Sequence, residues 1–351
     1  MPAPLTPETL ARAPKVLLHD HLDGGLRPQT VLELADAIGY TGLPAADAES
    51  LGAWFRQAAD SGSLVRYLET FAHTVSVMQT PEAVHRVARE AALDLAADGV
   101  VHAEVRMAPE LLTAMPLEAA VEAMVDGYAT GAREAGTIRV GALLCAMRQA
   151  DRWDDIAELV LRYRDAGVVG FDLAGPEIGF PADRHPSAIA VLDRAHAHRT
   201  IHAGEADGIE SIRGALDGAG TRRLGHGIRI ADEVPVDGPL GPLAQRVLDE
   251  QVTLEVAPSS NVQTGAYPSL ARHPVDRLHR AGFAVTLNTD NRLMSGVSVT
   301  SEFVDVVGTF GWGWDDVQTV TERAVAAAFL EDADRARLLA DVRSGYAALR
   351  A

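Results

Sequence analysis

The stretch Leu17-Leu18-His19-Asp20-His21-Leu22-Asp23-Gly24-Gly25 ends an apolar run that begins at Lys15. Residues i and i+2 of a strand point to the same side. His19 and His21 would therefore project together where the strand enters a glycine turn, and two imidazoles held that way are half of a metal site. The plainer alternative is a polar strand end with two solvated histidines. Other reactive groups follow far along the chain: His202 and Glu205 in "IHAGE", His226 in "LGHGIR", and Asp290 with Asn291 in "LNTDN". Histidines with a carboxylate suit a catalytic zinc or a similar divalent ion. Taken singly, each has an ordinary role. His202 or His226 could be a hydrogen-bonded core histidine, Asp290 a helix cap, and Glu205 an acid in a first helical turn.

Elements that could bring these groups together are visible in the hydrophobic pattern. Short apolar, β-branched runs occupy 15–23, 99–107, 138–147, 168–175, 200–205, 222–228, 252–260 and 284–291. Between most of them lie stretches with helical spacing, such as 80–99 and 117–136, and both finish near glycine. Strands alternating with helices predict a parallel α/β architecture, and this number of strands closes a (β/α)8 barrel of the TIM type. A doubly wound open sheet is the alternative, but no Gly-x-Gly-x-x-Gly follows the first strand. The long segment 24–98 reads as extra helices over the C-terminal mouth, and the tail from about 297 as closing helices. No repeat or linker divides the chain, so residues 1–351 are read as one barrel domain. On this register, the reactive residues sit at the C-terminal ends of strands one, five, six and eight. Those ends meet at one mouth, where barrel active sites form.

Two other groups are read differently. His196 and His198 also form a His-x-His pair, but they precede strand five, at the bottom of the barrel, and are expected to be solvated. His102, Glu104 and Arg106 alternate along strand two, which predicts a buried ion pair or a layer of the barrel interior, with a site-lining role as the alternative.

Composition narrows the function. The formal net charge of −18 over 351 residues disfavours nucleic acid, anionic membrane and highly charged anionic substrates. With Cys145 as the single cysteine, neither an internal disulfide nor a cysteine-based zinc site is possible. Neither an N-terminal signal region nor a run near the roughly 20 apolar residues of a membrane span is seen, so a cytoplasmic location is expected.

"LHDHLDGGLRPQT", "FDLAGPE", "IHAGE", "LGHGIR", "SSNVQTG" and "LNTDN" occur in this order over residues 15 to about 291. In this combination the chain resembles the adenosine deaminase family of the amidohydrolase superfamily. The resemblance implies hydrolysis of adenosine, and of 2′-deoxyadenosine, to inosine and ammonia. It implies one zinc ion per chain, held by His19, His21, His202 and Asp290. It also implies that Glu205 protonates the purine ring nitrogen beside the reacting carbon, while His226 orients the attacking water and shares its proton with Asp290. Gly175 would offer its backbone to the purine, Asp23 would bind the ribose hydroxyl, and His21 would lie close to the substrate. The partner implied is a small purine nucleoside; oligomeric state does not follow from the sequence.

The chemistry agrees with these roles. Displacing an aromatic amino group needs a strong nucleophile at neutral pH, and zinc lowers the pKa of a bound water to about 7. Attack breaks aromaticity, so a proton must reach the ring at the same time, which requires a protonated Glu205. One departure stands out. Asn291 occupies the place of a family aspartate that hydrogen-bonds the purine's imidazole nitrogen, and an amide can donate the same bond. Rival readings are a deaminase of adenine or of another 6-aminopurine nucleoside, and a non-catalytic binding protein on this scaffold, which would be expected to lack the proton donor. A two-metal hydrolase bridged by a carboxylated lysine is disfavoured, because Lys15 is the only lysine.

Overall fold

The computed structural model describes residues 4–351. Its strands are β1 Lys15–His21, β2 Val100–Met107, β3 Arg139–Met147, β4 Val168–Ala174, β5 Ile201–Ala203, β6 Arg223–His226, β7 Thr253–Val256 and β8 Ala284–Leu287. All eight expected strands are present and every pairing between neighbours is parallel. The ladder divides into β1-β2-β3-β4 and β5-β6-β7-β8. Isolated bridges join the halves, Phe171 to Arg199 on one side and Asp20 to Asp290 on the other. The result is the closed (β/α)8 barrel that the strand count predicts.

Strand residues alternate. Val105, Leu144, Leu173 and Leu254 belong to the apolar core shared with the helices. Their neighbours Glu104, Arg106, Cys145, Asp172 and Glu255 are fully buried and turn into the barrel. There Arg106 Nη1 is 2.6 Å from Asp172 and Nη2 is 3.0 Å from Glu255, while Arg223 reaches Glu104 and Glu255 at 2.6 Å each. Strand two thus contributes the interior ion pairs its alternation suggested. His198 stacks on Phe329 at the other end, and His196 is exposed, as expected for the pair before strand five.

Helix signals act as the sequence indicates. Thr80 caps Pro81–Ala97 by accepting from Ala83 N, with proline in the first turn. Leu117–Ala135 ends at Gly136 with φ 68°. These two helices approach closely because Gly127 and Gly131 lack side chains: a Cβ at either would run into the carbonyl oxygen of His85 or Arg89. The segment after β1 forms Pro28–Ile38, Ala48–Ala59, Leu64–Glu69 and Phe71–Val77. The last two of these cover the mouth. The tail closes with Val299–Phe310, Trp314–Ala327 and Asp332–Arg350. No helix among the described residues is long and apolar enough to cross a membrane.

Candidate metal-dependent active site

β1 delivers His19 and His21 to the mouth together, with ring centroids 5.4 Å apart. A register shift between Leu17 and Asp20 makes this strand bulge against β2, and bulges re-aim side chains. Asn288 Oδ1 accepts from both Leu18 N and His19 N, at 2.9 and 3.1 Å, and holds the irregular backbone. The alternate residue, Asp20, faces away and binds Thr289 Oγ1 and Arg292 Nε.

The other strands end earlier than the hydrophobic runs suggest. Glu205, Asp290 and Asn291 were expected on strands five and eight but lie in the loops after them. The cause is local backbone conformation. Gly204 (φ 70°) ends the extended run before Glu205, and Asp290 itself has φ 58°. His226, the last residue of β6, has φ 65°. Positive φ is uncommon outside glycine and costs roughly 1–3 kcal/mol, persisting where surroundings enforce it. Two of the four such residues among those described, His226 and Asp290, are therefore candidate site residues.

The donor atoms converge. One atom from each of His19, His202, His226 and Asp290 falls within a set spanning 4.8 Å. His21 Nε2 lies 3.2 Å from His202 Nε2 and 3.4 Å from Asp290 Oδ1, so it reaches the same place. The outward ring nitrogens are held by carboxylates: His19 Nδ1 by Glu255 at 3.2 Å and His202 Nδ1 by Asp172 at 3.0 Å. A carboxylate at Nδ1 favours the ring orientation that turns Nε2 inward, the arrangement that orients metal-bound histidines. Burial pushes the pKa of His21 well below the usual histidine value, which favours its neutral form. Burial opposes ionisation of Asp290, but the hydrogen bond and charge of His19 override it and hold the carboxyl well below its ordinary range. Ser260 Oγ donates to Asp290 Oδ2 at 2.6 Å. Imidazoles facing one another around an anionic carboxylate fit a divalent cation.

Glu205 stands at the edge of this cluster. Burial, then the charges of Asp290 and Glu177, push its pKa well above the usual carboxylate value, which favours its protonated form. Thr264 Oγ1 donates to its Oε1 at 3.0 Å, and His226 Nε2 is 3.6 Å from its Oε2. Its loop is pinned by Glu177, which accepts from the backbone N–H groups of Gly204, Glu205, Ala206 and Asp207 and from Ser211 Oγ.

A cavity of about 360 Å³ opens from these residues and contains Asp23, Gly175 and Asn291 in its wall. Its other face is apolar, made by Leu64, Tyr67, Leu68, Phe71 and Val75 of the covering helices, with Leu111 and Met147 opposite. No lysine or arginine lines it. Asp23 Oδ1 and Asn291 Oδ1 are buried without a hydrogen-bond partner. Gly24 lets Asn291 approach, since a Cβ there would overlap its side chain. Gly175 has φ 98° and exposes its backbone to the cavity. His21, Asp23, Gly175, His202, Glu205, His226, Asp290 and Asn291 thus border one space, with His19 fully buried beside them.

Several partners had no assigned role in the sequence reading: Asp172, Glu177, Glu255, Ser260, Asn261, Thr264 and the individual cavity-facing residues of the covering helices. Asp172 and Glu255 carried a signal, as single acids inside apolar strands that must find buried partners. The covering residues gave none, because their facing depends on how 24–98 folds back.

A closed parallel barrel with this cluster at its mouth defines a hydrolase of the amidohydrolase type. Residues 14–344 match the adenosine deaminase family model. The chain is 52% identical over 360 residues to an adenosine deaminase of Mycolicibacterium vanbaalenii, with 99% of each chain covered. It belongs to the adenosine deaminase family. Among solved structures it resembles adenine deaminase from Arthrobacter aurescens (TM-score 0.84, 28% identity, covering 95% of this chain and 98% of the other). A Burkholderia ambifaria amidohydrolase with bound Zn shares the fold (TM-score 0.85, 23% identity, covering 99% and 95%).

Proposed function

We propose that the protein is a zinc-dependent adenosine deaminase that hydrolyses the 6-amino group of adenosine and 2′-deoxyadenosine. The observation that carries this reading is the buried Glu205 beside a cluster of histidines and Asp290, at the wall of a cavity lined by no lysine or arginine. His19, His21, His202 and Asp290 would hold one zinc ion, which when bound supplies a nucleophile at neutral pH.

The protein's own groups do the rest. Glu205 gives its proton to the ring nitrogen beside the reacting carbon as aromaticity is lost. His226 orients the attacking water from the other side, and ionised Asp290 takes up a proton from it. The backbone of Gly175 and the amide of Asn291 read the purine edge. Asp23 Oδ1, lacking a protein partner, accepts from a sugar hydroxyl. A phosphate would meet no cation here and would lie near Asp23 and Glu69, which favours a nucleoside over its monophosphate. The acidic chain and this small-molecule cavity fit a cytoplasmic enzyme of purine metabolism.

The test is the ultraviolet change on mixing purified protein with adenosine, deoxyadenosine, adenine and AMP in parallel. The nucleosides should turn over and AMP should not. A chelator should stop the reaction, and added zinc should restore it. Turnover of adenine alone would replace this reading with that of an adenine deaminase.

A further inference from the structure

A neutral His226 can orient a water from an Nε2–H only when its Nδ1 is bare, and the protein fixes this through residues outside the cavity. A backbone N–H can only donate. Val275 N is 3.1 Å from His273 Nδ1, so that nitrogen accepts. His273 is almost fully buried, and burial lowers its pKa to about 3. It is therefore neutral, with its one proton on Nε2. Nε2 lies 3.2 Å from Asn261 Oδ1 and donates to it. The amide's orientation is then decided, and Asn261 Nδ2 donates across 3.0 Å to His226 Nδ1. His226 is left with its proton on Nε2, directed at the mouth.

We infer that His273 is a positioning residue, which sets the tautomer of His226 through Asn261 from one backbone amide. The catalytic consequence rests on the role given to His226 above, whereas the tautomer itself does not. With His226 in the opposite tautomer, Nε2 would be a bare acceptor and could not hold a water by donation.

The experiment is two-bond 1H–15N correlation of histidine side chains in zinc-loaded protein, with His226 and His273 assigned from single variants. Both rings should show protonated Nε2 and unprotonated Nδ1. His273→Leu removes the donor, and the freed Asn261 amide can turn. The His226 signal should then shift partly or wholly to the Nδ1–H form, and kcat should fall about tenfold or more with KM within about twofold. His273→Gln places an N–H near the same point and should restore both readouts. An Nδ1–H His226 in the unaltered protein overturns the inference, whether or not the leucine variant folds. So does a His226 that stays Nε2–H in a folded His273→Leu. A tautomer shift without loss of kcat would uphold the relay and overturn the role proposed for His226.

Discussion

Two buried groups of charged and titratable side chains share the barrel interior, and they differ in what balances them. In the inner layer, Arg106 and Arg223 are each clasped by two carboxylates drawn from Glu104, Asp172 and Glu255. At the mouth, the carboxyl groups of Asp290 and Glu205 have histidines and hydroxyls around them but no arginine or lysine bonded to them. Asp172 and Glu255 belong to both groups, since each also holds a histidine. The lesson is that buried charge already matched by guanidinium is scaffold, whereas a cluster short of positive charge is prepared for a cation and for a substrate that must be protonated.

Substitutions should separate the two roles. The largest effect on stability is expected for Arg106→Met, which strands Asp172 without its guanidinium and leaves Glu255 with Arg223 alone. Breaking one side of a buried pair costs about 3–5 kcal/mol, readable as a lower denaturant midpoint. An unchanged midpoint would show that the inner layer is not scaffold. Glu205→Gln should behave in the opposite way, with kcat lower by roughly 100-fold or more but metal content and midpoint retained. In the unaltered enzyme, kcat/KM should fall as pH rises through the elevated pKa of Glu205, because the ionised form has no proton to give. A flat alkaline side in a pH series would count against Glu205 as the donor.

A smaller loss is expected at Asn291. Asn291→Leu should cost about 1–3 kcal/mol in kcat/KM and remove the preference for adenosine over its 7-deaza analogue. If the preference survives, the residue does not read the ring. The smallest effect is expected for His196→Ala, exposed before β5. It should leave metal content unchanged and stability within about 0.5 kcal/mol, which tests whether His-x-His spacing matters only at the mouth.

The barrel was legible because alternation and strand number are written along the chain, and all eight apolar runs became strands. The site was legible because its reactive residues fall where those runs end. The ends themselves were read too long, since a left-handed residue such as Asp290 looks like any other aspartate in sequence. The histidine partners were harder still. Glu255 lies 236 positions from His19, and nothing in "LEVAP" says which strand-one side chain it will meet. His273 could not have been assigned at all, because its role depends on the hydrogen bond its other ring nitrogen receives.

The seam beside β8 carries one more consequence. His21 N donates to Asp290 O at 2.7 Å, and Asp290 N donates to His19 O at 2.9 Å. The clasp that closes the barrel is therefore made of the backbone of the proposed ligands, which lie 271 positions apart. A ribosome finishes the first of these residues long before the last, and the entropy of joining so distant segments must be met before they reward it. A chain cut short ahead of Asp290 would own most of its strands and yet have no reactive centre. Catalytic competence thus arrives late in biosynthesis, as a signal that the whole barrel has been made and shut.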